Sequence, residues 1–188
     1  MSSLRTINSL RQSGFSMIEI LVTLVILLVG LLGLAGLQMQ AQRAEMESYQ
    51  RVQALVLLQD MTERISANSA NLASYVGANV GTGDTQPAVT ACATQPTMAA
   101  RDLCEWSNTL KGASEQQAGG AGAVGAMVGA RGCITPSPAA SSVVVSVAWQ
   151  GLGDTTAPAN TCGQYQYFSE TKRRVVSLPL TIGCLACP

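Results

Sequence analysis

The chain has 188 residues, 47% of them hydrophobic, and eleven basic side chains balance eleven acidic ones to a formal net charge of zero. That length holds one modest domain plus a long accessory element. No basic patch or aromatic-basic interleaving appears outside the run Lys172-Arg173-Arg174, which argues against nucleic acid, and the lack of histidine removes the usual Ser-His and Cys-His nucleophile-base pairs.

Residues 1–14 carry Arg5 and Arg11 and no acid, and an almost unbroken apolar run begins at Phe15. From Ile20 to Leu37 there are 18 residues without a charge, about what a helix needs to cross a bilayer core of roughly 30 Å. The arginines ahead of the run place the short tail in the cytoplasm and the bulk of the chain across the membrane. Glu19 is the anomaly. An acid at the centre of a spanning helix costs about 2.5 to 3.5 kcal/mol, less near the interface, and a plain anchor has no use for one. A cleaved secretory signal fits poorly, because Gly14, the small residue at the basic-to-apolar border, stands before the apolar core instead of after it. An uncleaved anchor accounts for length and flanking charge but leaves Glu19 either snorkelling to the headgroups or held protonated.

The hexapeptide Gly14-Phe15-Ser16-Met17-Ile18-Glu19 ahead of that run resembles the class III signal of type IV pilins and type II secretion pseudopilins. The resemblance implies that prepilin peptidase cuts after Gly14 and methylates the new amino terminus at Phe15. It also implies that Glu19 contacts the free amino terminus of a neighbouring subunit as a filament grows. The physics agrees, since a carboxylate in apolar surroundings is costly alone and tolerable once a cation neutralises it. The wording Gly-Leu-Leu-Gly-Leu-Ala-Gly-Leu-Gln after the apolar run resembles the PilV subgroup of minor pilins. So do Val-Ala-Trp-Gln-Gly and Arg-Arg-Val-Val-Ser-Leu nearer the other end.

All seven prolines lie from Pro87 onward, so the stretch from Phe15 to about Ser66 is free to form one helix of some fifty residues, roughly 75 Å at 1.5 Å per residue. Its second half turns polar from Gln38, while Val52, Leu55, Leu58, Thr62 and Ile65 recur at helical spacing and predict the face laid on a globular domain. Gly30, Gly33 and Gly36 each cost up to about 1 kcal/mol against alanine, so this part of the helix either packs closely on another helix or is locally weak. Beyond Ala67 the composition reads as loop until Arg101. There Leu103, Trp106 and Leu110 share the face of a short helix over 101–110, with Trp106 as a core anchor. Residues 118–132 hold six glycines in fifteen positions and read as a small-residue strand or a loop. Alternation predicts one strand through Val143, Val145, Val147 and Trp149, and another through Val176, Leu178, Leu180 and Ile182 with Pro179 marking a sheet edge. A third strand is expected through Gln164 to Ser169.

The fold class expected is α+β and pilin-like, a long N-terminal α-helix packed against a small antiparallel β-sheet and stabilised by disulfides. The six cysteines, Cys92, Cys104, Cys133, Cys162, Cys184 and Cys187, all follow the apolar run, in the part expected to reach an oxidising compartment. They allow fifteen pairings. Proximity along the chain favours Cys92 with Cys104, Cys133 with Cys162, and Cys184 with Cys187. A zinc site is the rival, but histidine is absent and Cys184-x-x-Cys187 has no second pair at matching spacing. A thioredoxin-like role is weaker, because that chemistry places its Cys-x-x-Cys at the start of a helix.

The expected organisation is a cytoplasmic leader over 1–14, a long helix over 15–66 with about 15–37 in the membrane or filament core, and a periplasmic or extracellular domain over 67–188. The resemblance implies a minor pilin that is stored in the inner membrane and then incorporated into, or priming, a type IV pilus for twitching motility and attachment. Its implied partners are prepilin peptidase, other minor pilins, the major pilin and the inner-membrane assembly platform, and no cofactor or metal is expected. A minor pseudopilin of a type II secretion system shares the whole N-terminal argument. A membrane-anchored periplasmic enzyme is the alternative from another class, and the missing histidine counts against it.

Overall fold

The computed structural model describes residues 14–113, 115, 118, 127–138 and 141–183. Helix α1 (Met17–Ala67) runs for 51 residues without a proline to interrupt it. It opens where Ser16 O accepts from the amides of Glu19 at 3.0 Å and Ile20 at 3.4 Å, and it closes at Asn68, whose N–H returns to Arg64 O at 3.1 Å. Two compact units divide the chain, Met1–Ala44 and Glu45–Pro188.

The first unit, as far as it is described, is residues 14–16 and α1 up to Ala44, apolar to Leu37 and polar from Gln38. Its large side chains are all exposed, from Phe15 at 80% through Leu32 at 74% to Leu37 at 67%.

In the second unit α1 buries Gln50, Ala54, Leu57, Leu58, Met61 and Ile65, which recur at helical spacing on one face. Leu58 and Ile65 of the expected stripe are buried and Thr62 is half-buried, but the stripe is corrected at its start, where Val52 is 57% and Leu55 44% exposed. Both faces of the segment carry aliphatic residues, so periodicity alone did not say which one packs.

Four strands form an antiparallel sheet in the order β1 (Asn79–Gly81), β2 (Arg131–Pro136), β3 (Ser142–Gln150), β4 (Arg173–Thr181). On β3, Val143, Val145, Val147 and Trp149 join Ile134 of β2, the buried face of α1, and Trp106 and Leu110 in one core. Trp106 and Leu110 belong to helix α2 (Met98–Leu110), which Thr97 caps by accepting from Ala100 N. The strand β4 does lie at the edge of the sheet, as Pro179 demands.

The opposite face of β3 is also covered, which half-buried alternation does not anticipate. Ser146 and Ala148 lie beneath the connection from β3 to β4, where Cys162 and Tyr167, with Val175 of β4, pack in one cluster with Ala148 and Asn160 Nδ2 donates to Ser146 Oγ at 2.9 Å. Residues 164–169 in this connection are turns, not the expected strand. Gly163 (φ 66°) and Tyr165 (φ 60°) take the left-handed conformation, and Gln166 N returns to Gly163 O, so the backbone cannot run extended there.

Candidate functional site: the head of the long helix

Gly14, Phe15 and Ser16 precede the first helical residue, and Glu19 falls in the first turn of α1. That position is favourable for a carboxylate, because the unsatisfied amides of a helix N-terminus carry partial positive charge. Glu19 is exposed, and among the described residues no cation pairs with it. Behind it the apolar run has a mean hydropathy of 2.9 over its richest 18-residue window and buries none of that window within the chain. A contiguous exposed aliphatic surface of this length marks a segment that meets lipid or another protein. Among the described residues a side chain added at Gly30, Gly33 or Gly36 would meet nothing within 4 Å, so no contact there requires those glycines.

The cysteines lie in the second unit. Cys92 is joined to Cys104, with a Cα–Cα distance of 5.5 Å, and ties a 3-10 turn (Val89–Thr94) to α2. Cys133 is joined to Cys162 at 5.7 Å and staples the β3–β4 connection to the outer face of the sheet. Cys184 and Cys187, and the leader with Arg5 and Arg11, lie outside the described residues.

Two polar clusters escaped sequence reasoning because their members are far apart in the chain. In one, Arg64 near the end of α1 bridges Asp60, Asp102 and Glu105, while the Tyr75 hydroxyl accepts from Asn68 and donates to Asp102 at 2.5 Å. Burial, and then the bond to Asp102, push the Tyr75 phenol up to about 12. In the other, Asp84 accepts from Gly81 N, Gln86 N and the Ser107 hydroxyl and pairs with Lys111. Burial opposes ionisation of Asp84, but the bonds from Lys111 and Ser107 and from the two amides outweigh it and hold its pKa below the usual value. Both clusters pin loops to α2. A cleft of about 350 Å³ is lined by Glu47, Arg51, Trp149 and Arg174. Its carboxylate is already engaged by Gly153 N and Arg174. Among the described residues no three His, Cys, Asp or Glu side chains gather as metal ligands.

A long N-terminal helix, exposed and apolar through its first half and packed in its second half on a small antiparallel sheet with two disulfides, is the pilin fold. Residues 9–35 match the prokaryotic N-terminal methylation motif, and residues 36–108 match a Tt1218-like family model described as type IV pilin Tt1218. Neither match spans half of the chain. No curated protein matches the chain, and no solved structure does. Together the two matches and the fold support a type IV pilin that carries a prepilin signal. Such a signal implies processing by prepilin peptidase, anchoring in a membrane and assembly with other pilins.

Proposed function

We propose that this chain is a minor pilin of a type IV pilus, PilV-like in its wording at both ends, and a structural subunit instead of an enzyme. The observation that carries the reading is the pairing of a fully exposed apolar helix with one carboxylate, Glu19, at its head. In this reading the leader over 1–14 is removed after Gly14 and Phe15 is methylated. Residues 15–66 are the filament helix, held in the inner membrane through about 15–37 before assembly, and the domain over 67–188 is periplasmic until it reaches the cell surface. An oxidising periplasm suits the disulfides.

Assembly follows from the cost of the lone acid. Cleavage frees an amine at Phe15, and the Glu19 carboxylate of a neighbouring subunit meets it inside an apolar bundle. A salt bridge there removes a penalty that either charge alone would bear. Subunits out of register leave both charges unpaired. Other minor pilins, the major pilin and the assembly platform are the partners in this scheme, and priming, twitching motility and attachment are the outcomes.

Deleting the gene and complementing it with wild type or Glu19→Ala tests the reading. Wild type is expected to restore twitching and to enter sheared filaments, while Glu19→Ala is still cut but enters them poorly. Normal twitching with impaired release of exoproteins in the deletion strain would assign the chain to a type II secretion pseudopilus. Filament entry of Glu19→Ala at the wild-type level would remove the docking role of Glu19.

A further inference from the structure

The sheet is open along β4, whose ladder to β3 runs unbroken from Arg173 to Thr181. Just beyond the two ends of that ladder Lys172 O accepts from Gly151 N at 2.8 Å and Ile182 N donates to Ser141 O at 3.0 Å. Even-numbered residues of β4 therefore turn their backbone groups to β3, and odd-numbered ones turn theirs outward. Pro179 stands at an outward position, where its missing N–H costs no ladder bond and removes the next donor along the edge. The Val175 and Ser177 amides face outward and donate to no group among the described residues. Between Arg173 and Pro179 the edge is thus a short window with two free donors.

That window borders the 350 Å³ cleft, which Val175 and Val176 line together with Trp149, Arg174, Ser48 and Arg51. Ser48, Arg51 and Leu55 follow one another along one flank of α1, and Arg174, Val176 and Leu178 share the face of the sheet that carries Trp149. Leu55 and Leu178 both stay exposed. Charge then selects what fits. Glu47, four residues before Arg51 and its natural helix partner, is taken by Gly153 N and Arg174. Among the described residues Arg51 pairs with no acid, and the rest of the chain contains no Asp or Glu.

We propose that the β4 edge at Val175 and Ser177 receives a short extended segment of another protein, one that brings a carboxylate to Arg51 and aliphatic side chains to the cleft. Main-chain bonds to the free edge supply the attachment, and the alternate side chains that face the cleft supply the choice of partner. A second copy pairing edge to edge across a two-fold axis would instead set Arg51 beside Arg51, like charge against like. The surface lies wholly in the second unit and does not depend on the filament reading.

The test uses the isotope-labelled full-length protein in zwitterionic micelles, with NMR of the Val175 and Ser177 amides as the readout. The probe is the peptide acetyl-Leu-Thr-Asp-Thr-Leu-amide, whose sequence reads the same both ways and so suits either strand direction. With its aspartate opposite Val176, the two threonines stand opposite Val175 and Ser177. Shifts and slowed hydrogen exchange at both amides are expected. Asparagine in place of the aspartate should weaken binding about fivefold, and N-methylation of both threonines, which keeps every side chain, should abolish it. Arg51→Glu, a change at an exposed position, should reverse the preference in favour of a probe with lysine at its centre. No response to the aspartate probe, equal binding by the N-methylated probe, or an unchanged preference in Arg51→Glu would each overturn the proposal. So would the same shifts on raising the protein concentration alone, which would give the edge to a second copy, or their full reproduction by acetate, which would leave an anion site only.

Discussion

The indole Nε1 of Trp106 donates to the carbonyl oxygen of Leu57 at 2.9 Å, joining α2 to the middle of the packed half of α1 across 49 positions of sequence. The ring fills the space above Gly132 on β2, where an added methyl would overlap Trp106 and approach Leu110 Cδ1 to 2.8 Å. A fully buried indole with its one donor satisfied is held by both packing and a hydrogen bond.

Gly132→Ala should therefore be a severe change despite its size. Backbone below and a caged ring above leave no room to relax, so a loss of about 1 to 3 kcal/mol is expected. Chemical denaturation of the full chain in detergent checks this. Gly33→Ala, with nothing within 4 Å among the described residues, is the control and should not destabilise the domain.

Arg173 and Arg174 are adjacent yet should respond differently. Arg173 is 1% exposed, pairs with Glu170 at 2.6 Å and donates to three carbonyls, whereas Arg174 lies nearer solvent, reaches Glu47 at 3.3 Å and donates to the Gly153 and Thr171 carbonyls and the Thr155 hydroxyl. Replacing Arg173 by Met should cost about 3 kcal/mol, because buried acceptors lose their donor. Replacing Arg174 by Met should cost less, about 1 to 2 kcal/mol, because the acceptors it leaves are nearer solvent. Denaturation midpoints of the two variants decide it, and equal losses would contradict the structure.

The two disulfides close loops of different length. Cys133–Cys162 spans 29 residues and Cys92–Cys104 spans 12. On the loop-entropy model these contribute about 3.6 and about 2.8 kcal/mol. The longer bridge also covers Ala148, so Cys133→Ser with Cys162→Ser should lower the melting temperature more than Cys92→Ser with Cys104→Ser, with earlier proteolysis in the β3–β4 connection.

Stability should fall at both ends of the pH scale. The Asp84 pKa lies below its ordinary 3.8, so its contribution is present above that value and is lost as pH falls through it. Tyr75 and Tyr167 rise from 10.0 to about 12, Tyr167 through burial. Their contributions are therefore complete below pH 10 and disappear as pH rises towards 12. Melting temperatures recorded with tyrosinate absorbance should show the alkaline loss, and Tyr75→Phe should blunt it.

Much of the fold was legible because it rests on local pattern. The proline-free run gave α1, alternation gave β3, and the face shared by Trp106 and Leu110 gave α2. What escaped depends on residues distant in sequence. Strand β2 passes through a Gly/Ala-rich stretch whose Gly132 makes sense only beneath Trp106, and β1 is three residues long. The packed face of α1 was placed correctly at Leu58 and Ile65 and misplaced at Val52 and Leu55, which look as apolar as Leu57 and Met61. At the head of α1 the situation reverses. Gly14, Phe15 and Glu19 were legible as a motif, while a single chain does not hold the second subunit that would give them their contact.

The most direct measurement is the mass of the N-terminal peptide from sheared filaments and from membranes. A chain that begins at methylated Phe15 is expected in the filament fraction. Met1 retained in every fraction would contradict it.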